Sequence, residues 1–169
     1  VRKRLLLGYS VRRYFVDQFF ERQFAQLSPA GAILDLGGHK IDKRGYFDIR
    51  QHHLAIIYVN LTPTKQPDVQ ADAAFIPFRN NTFSVVICAE LLEHVLNPTL
   101  VLQEMNRILK PGGIVLITVP FLFHIHGDPH DFGRYTDHYW SVMLEQTGFE
   151  ISSIQRQGLF YAVLVDFIK

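Results

Sequence analysis

Cysteine is almost missing from this chain: among 169 residues there is one, Cys88. A lone thiol inside a predicted buried strand excludes a disulfide framework and fits a reducing cytoplasm. Long apolar runs are missing too. None reaches the roughly 18 residues that a bilayer-spanning helix needs, so no integral membrane segment is expected. Nor is there an excess of either charge. The 17 Lys and Arg stand against 16 Asp and Glu, a formal net charge of +1, which gives no general attraction for nucleic acid. Repeats, low-complexity tracts and a signal-peptide pattern are all absent from the sequence. The chain opens on Val1, and is read as a fragment or processed form.

What is present describes an ordinary globular protein. Hydrophobic residues make up 48% and charged residues 20%, enough for one domain, 1–169, built on a single core. Basic residues gather at the start: Arg2, Lys3, Arg4, Arg12 and Arg13, beside Leu5, Leu6 and Leu7. A membrane-surface helix is one reading of this stretch. The other, which the composition favours, is a capping helix over about residues 4–27. Its Val11, Phe15 and Phe19 would cover a sheet or a ligand site, and Ser28-Pro29 would stop it.

The most informative stretch is Arg107-Ile108-Leu109-Lys110-Pro111-Gly112-Gly113-Ile114-Val115-Leu116-Ile117-Thr118-Val119-Pro120. It reads as a helix end, a Pro-Gly-Gly turn and a strand apolar on both faces, as in a parallel sheet. Further strands are predicted at 32–36, 55–60, 69–71, 83–88 and 149–154. The segment 39–53 reads as loop with little helix, and 62–67 as loop. A helix starts at Asn97-Pro98, the N-cap plus Pro-at-first-position signature, with Val101, Met105 and Ile108 on its apolar face. Thr136 caps another, with Tyr135 and Trp140 as a hydrophobic staple and Gly148 as its stop. Periodicity leaves 159–168 open between strand and helix. Strands alternating with helices predict an α/β fold with a doubly wound, mostly parallel sheet, whose ligands bind beyond the carboxyl ends of the strands.

Four segments in order carry a resemblance: Ala32-Ile33-Leu34-Asp35-Leu36-Gly37-Gly38, Asp72-Ala73-Ala74-Phe75-Ile76-Pro77-Phe78, Phe83 through Glu93-His94-Val95, and the Pro-Gly-Gly strand. Together they resemble class I S-adenosylmethionine-dependent methyltransferases, in the small-molecule branch that includes quinone-biosynthesis enzymes. The resemblance runs over about 33–149. It implies a Rossmann-like methyltransferase fold, here cut short at the C-terminal strands, and S-adenosyl-L-methionine as cofactor. A dinucleotide site would instead want Gly-x-Gly-x-x-Gly opening a helix, and only Gly37 and Gly38 are present.

The resemblance also implies roles for single residues. Asp35, Gly37 and Gly38 would surround the methionine part of the cofactor, the carboxylate suiting its ammonium group. The family pattern is acid-x-Gly-x-Gly-x-Gly, and here His39 and Ile41 replace its second and third glycines. Asn60, followed by Leu61, stands where the family carries an acid for the ribose hydroxyls, so Asn60→Asp is expected to tighten binding. Asp72, with Ala73, would take the adenine amino group. Ala89, Glu90 and Leu91 would line the cofactor.

Past the Pro-Gly-Gly strand, His126, Pro129, Asp131, Phe132, Arg134, Tyr135 and Thr136 match a His-x-x-Pro-x-Asp-Phe-x-Arg-Tyr-Thr string of related methyltransferases. This loop would overhang the acceptor. His126 and His130 are the first candidates for a base, His94 the next. An Asp131–Arg134 pair fixing the loop is the structural alternative. The loop's Gly and Pro breaks do not preset ligand geometry, so no metal is expected. The expected function is methyl transfer to a small-molecule acceptor; a sugar, a polysaccharide precursor or a quinone-like ring all fit. A non-catalytic, methyltransferase-like binding or scaffold domain is the alternative, favoured by the altered glycine motif and Asn60.

Overall fold

Apolar, β-branched runs suit strands covered on both faces, and in the computed structural model they form one five-stranded sheet. The structure describes residues 9–27, 30–41, 45–52, 55–127, 130–158 and 160–168, the last three by backbone alone. Arg2, Lys3, Arg4, Leu5, Leu6, Leu7, Ser28, Pro29, Asp128, Pro129 and Leu159 lie outside the described residues. The strands are β1 (Ile33–Leu36), β2 (Ile56–Asn60), β3 (Val69–Gln70), β4 (Phe83–Ala89) and β5 (Leu109–Thr118). Their order is β3-β2-β1-β4-β5, and every neighbouring pair is parallel. The doubly wound α/β architecture is therefore as expected.

Side chains alternate across the central strands and meet a different cover on each face. Leu34, Leu36, Val86 and Cys88 pack with α2 (Pro98–Ile108), through Val101, Leu102, Met105 and Ile108, and with Trp140 of α3 (Asp137–Gln146). On the other face, Ile33, Tyr58, Val85 and Ile87 pack with Val16, Phe20 and Phe24 of α1 (Val11–Gln26). A fourth helix, α4 (Phe160–Ile168), touches α1. No helix among the described residues is long and apolar enough to cross a membrane.

Several local expectations are met. Thr136 caps α3, its hydroxyl accepting the Tyr139 N–H at 3.2 Å, and the Tyr135 and Trp140 rings meet at 5.1 Å between centroids. Pro98 opens α2, although the Asn97 side chain makes no capping bond. The Pro-Gly-Gly turn is a bulge inside β5: Phe83 faces Leu109 while Val85 faces Ile114, so residues 110–113 are extruded. A Cβ on Gly113 would come within 2.8 Å of the Lys110 carbonyl, which is why the bulge needs glycine.

Three expectations are corrected. Among the described residues the first helix starts at Val11, where Ser10 caps it by accepting the Arg13 N–H at 3.0 Å, so a single helix does not run unbroken from residue 4 to 27. Its buried face is Val16, Phe20 and Phe24, whereas Val11, Phe15 and Phe19 are half-buried. The helix is apolar on more than one side, and Phe15 lies beside Gly158, just ahead of α4. The strand predicted at 149–154 is absent: residues 151–158 are irregular, and Arg156 reaches instead to Asp137 at 2.9 Å. The ambiguous run that follows is helical.

One arginine fixes the turn after β3. Arg107 of α2 donates to the carbonyls of Phe78 (2.7 Å) and Ile76 (2.9 Å), to the side-chain oxygen of Asn80 (3.0 Å) and to both oxygens of Glu104. Glu104 in turn accepts the Ile76 N–H at 2.9 Å. Arg107→Met is expected to leave these acceptors unpaired and to lower unfolding free energy by about 1.5–3 kcal/mol, the range for hydrogen bonds to charged groups, measured by urea denaturation.

Candidate active site

The carboxyl ends of β1, β2 and β4 open into one cleft, roofed by α1 and the segment 45–49. Past β1 the chain turns at Gly37, whose φ of 81° is costly for residues with a side chain. A Cβ there would also press within 3.0 Å of the Leu91 side chain. The loop is held from β2. The Asn60 amide donates to the carbonyls of Gly37 (2.9 Å) and Gly38 (3.1 Å), while its oxygen accepts the Thr62 N–H at 2.9 Å. Those three contacts fix which end of the amide points where.

β4 leads into Glu90, a non-glycine residue with φ of 53°, whose N–H donates to the Thr118 carbonyl at 2.9 Å. Its carboxylate pairs with Arg12 of α1, so the roof is tied to the floor by charge. Asp17, 5% exposed, accepts the Tyr9 hydroxyl and the Tyr46 N–H at 2.6 Å. Burial, then that bond to Asp17, pushes the Tyr9 hydroxyl well above its ordinary value. Phe20 and Phe47 stack at 5.3 Å and close the outer wall.

The loop after β5 docks on His94. The His94 Nδ1 lies 2.6 Å from the His130 carbonyl, and the His94 and His126 rings meet edge to face at 5.0 Å. The loop keeps its shape through Asp131, which takes both ends of the Arg134 guanidinium at 2.5 and 2.7 Å and the His126 N–H at 2.9 Å. The bond to Arg134 holds the Asp131 carboxyl far below the usual carboxylate range, against the opposing effect of burial. Burial lowers His126, outweighing the pull of Asp131, so its imidazole is neutral at pH 7. Glu93, 1% exposed, is pushed upward by its burial, in part offset by its own N–H and by His94, Arg12 and Arg134.

Eight of the residues singled out from the sequence line this cleft together: Asp35, Gly37, Gly38, Asn60, Ala89, Glu90, Leu91 and His94. His126 and His130 stand just outside it, joined through His94. Leu61, Asp72 and Ala73 do not line it. Leu61 is 61% exposed and Ala73 is buried in the core. Asp72 is exposed, its carboxylate accepting the Ala74 N–H at 2.9 Å. Sequence reasoning missed Arg13, Asp17, Phe20, Phe47 and Lys65, which also line the cleft. It missed Glu93 as well, although the Glu93-His94 pair was visible.

Part of the chain is similar to known methyltransferases. A methyltransferase-domain model matches residues 46–117, from the approach to β2 into β5. A ubiquinone/menaquinone biosynthesis C-methyltransferase of Shewanella sp. (strain ANA-3) is 27% identical over 127 residues, which are 63% of this chain and 51% of that enzyme. Over these segments the chain is similar to class I methyltransferases. The enzyme of the same name from Teredinibacter turnerae is 48% identical over 48 residues, 28% of this chain and 19% of its own length. This chain thus spans about half or less of the length of these curated relatives. Among solved structures, it resembles a putative methyltransferase from Bacillus halodurans (TM-score 0.63, 21% identity, 82% of this chain and 71% of that one). It also resembles the [4+2]-cyclase SpnF (TM-score 0.64, 19% identity, 86% and 61%). At these identities the structures show the fold alone.

Two predictions come from this geometry. Asn60→Asp, expected from the resemblance to tighten binding, instead sets a carboxylate against two carbonyl oxygens. It should lower stability by about 1–3 kcal/mol in urea or thermal denaturation, the cost of leaving those acceptors unpaired. Asp131 has a folded value below its unfolded one. Its contribution is therefore present above about pH 4 and lost as pH falls below that, toward the folded value. Wild-type stability relative to Asp131→Asn should shrink over that interval in paired denaturation curves.

Proposed function

We propose that this chain binds S-adenosyl-L-methionine in the cleft at the ends of β1, β2 and β4 and transfers its methyl group to a small-molecule acceptor. The observation that carries this reading is the convergence of Asp35, the Gly37-Gly38 turn and residues 89–91 on one cleft, next to a polar loop pinned over His94. The groups present fit such a ligand. Asp35 offers a carboxylate to its ammonium, and Gly37 and Gly38 leave room for close backbone approach; Asp72 and Ala73 lie outside the cleft lining, so an adenine role for them rests on the resemblance alone.

The cofactor supplies a methyl group on a sulfonium that is already a good leaving group, so the protein's task is alignment. Asn60 holds the glycine turn in place. Glu90, tied to Arg12, shapes the floor, and Leu91 packs under Gly37. Where the acceptor is a hydroxyl, neutral His126 is the first base, with His130 and then His94 as alternatives. The relatives' names add support for a ring of the quinone-precursor kind as acceptor. A sugar or polysaccharide precursor rests on the loop's resemblance alone.

A second reading, a ligand-binding domain without turnover, is favoured by Asn60. Its side chain is committed to the clamp and brings no charge to the ribose position. The test is calorimetry with S-adenosylhomocysteine, followed by turnover over a panel of acceptors. Binding is expected, with Asp35→Asn weakening it by about 1.5–3 kcal/mol, since it keeps the shape and removes the charge. Binding without turnover on any acceptor would favour the second reading. No binding by folded protein would overturn both.

A further inference from the structure

Beside the cleft, the 3-10 turn Leu92–His94 and the loop after β5 bring together Glu93, His94 and His126. Neither oxygen of the buried Glu93 carboxylate has a hydrogen-bond partner beyond its own residue. A buried carboxylate without one is expensive, and in a native fold it calls for a reason. Its closest ion-pair contact is His94 Nε2, 3.6 Å from Oε1.

Both imidazoles are turned the same way. His94 Nδ1 faces the His130 carbonyl at 2.6 Å. His126 Nδ1 faces the His124 carbonyl and an Asp131 oxygen, each at 3.2 Å. Arg134 also approaches that nitrogen at 3.4 Å, but its guanidinium is already committed to Asp131 and the His124 carbonyl. With acceptors at Nδ1, the hydrogen belongs there and Nε2 keeps its lone pair. Histidines that ligate metals are held in this manner, one nitrogen donating to a carbonyl or carboxylate and the other free to coordinate.

We propose that Glu93, His94 and His126 form a binding site for a divalent first-row transition ion, Zn²⁺ first among them. One ligand atom from each residue lies within 4.8 Å of the others, so small side-chain movements close the set. Two imidazoles and one carboxylate suit such an ion, whereas Mg²⁺ and Ca²⁺ ask for more oxygens. Charge does not oppose it: Glu90, Glu93 and Asp131 accompany Arg12 and Arg134 here. The Gly and Pro breaks of the loop preset no ligand geometry, but two of the three ligands come from the turn after β4.

Three protein ligands leave a coordination position for water or an acceptor oxygen, whose pKa an ion would lower. That use rests on the methyl-transfer reading; the binding does not.

The test is titration of Zn²⁺ into metal-free protein against a chromogenic chelator. One equivalent per chain is expected, and Co²⁺ should give the intense ligand-field bands of a low-coordinate site. Glu93→Gln, which keeps the side chain's shape, and His126→Ala should each weaken Zn²⁺ at least about 100-fold, since outer-shell losses alone reach that size. His124→Ala, which removes an exposed imidazole outside the cluster, should leave affinity unchanged. No binding by folded wild-type protein, or wild-type affinity in Glu93→Gln, would overturn the proposal. So would a loss confined to His124→Ala, the mark of a surface site. S-adenosylhomocysteine calorimetry on the same metal-free protein reports on the cofactor reading separately, so the two can fail independently.

Discussion

A parallel sheet must be covered on both faces, and β1 lies at the centre of this one. Its four residues alternate between two helical layers: Ile33 toward α1, Leu34 and Leu36 toward α2. The register then leaves Asp35 between Tyr58 and Ile87, at the strand's open end and on the side roofed by α1. An acid there is tolerated because it meets a cleft and not a core. Slipping the pairing by one residue would exchange the two faces and bury that charge among aliphatic side chains. The position of the site follows from the packing of the sheet.

The parts of the fold legible in the sequence were those written as continuous apolar runs or as local capping chemistry. Strands at β1, β2, β4 and β5, the Thr136 cap and the Tyr135–Trp140 staple all fall in that class. The burial of α1 was not legible, because aromatic residues occupy several of its faces and only docking selects Val16, Phe20 and Phe24. Residues 149–154 contain apolar positions but fail to pair, since strand formation needs a neighbour and Arg156 is drawn to Asp137 instead. Glycine-turn and β4-end residues of the site could be read because they sit at strand ends. Asp17 and Phe47 could not, because they arrive from a helix and an irregular segment folded over the top. The burial of Glu93 is likewise a property of tertiary packing, invisible in a Glu-His pair that also reads as an exposed turn.

The solved structures show how little the sheet alone says about chemistry, since a [4+2]-cyclase shares it. What individualises this chain is set by two small networks at the rim. Asn60 acts as a clamp, its amide spent on the carbonyls of Gly37 and Gly38 and so shaping the turn beside it. Asp131 and Arg134 convert a Gly- and Pro-interrupted segment into a docked element, with the Phe132 N–H bound to the Glu93 carbonyl at 2.7 Å. Both networks use hydrogen bonds to backbone carbonyls, so they fix main-chain position more than side-chain identity.

The ion pair between Arg12 and Glu90 has a mechanical side. Glu90 occupies a left-handed backbone conformation that is uphill for a glutamate, and its partner is carried by the roof. Undocking α1 would remove the charge that holds the glutamate side chain and leave its backbone free to relax. Floor and roof are thereby two ends of a single latch. A ligand filling the cleft would press on both ends at once, linking occupancy to helix docking even though the two surfaces belong to distant parts of the chain.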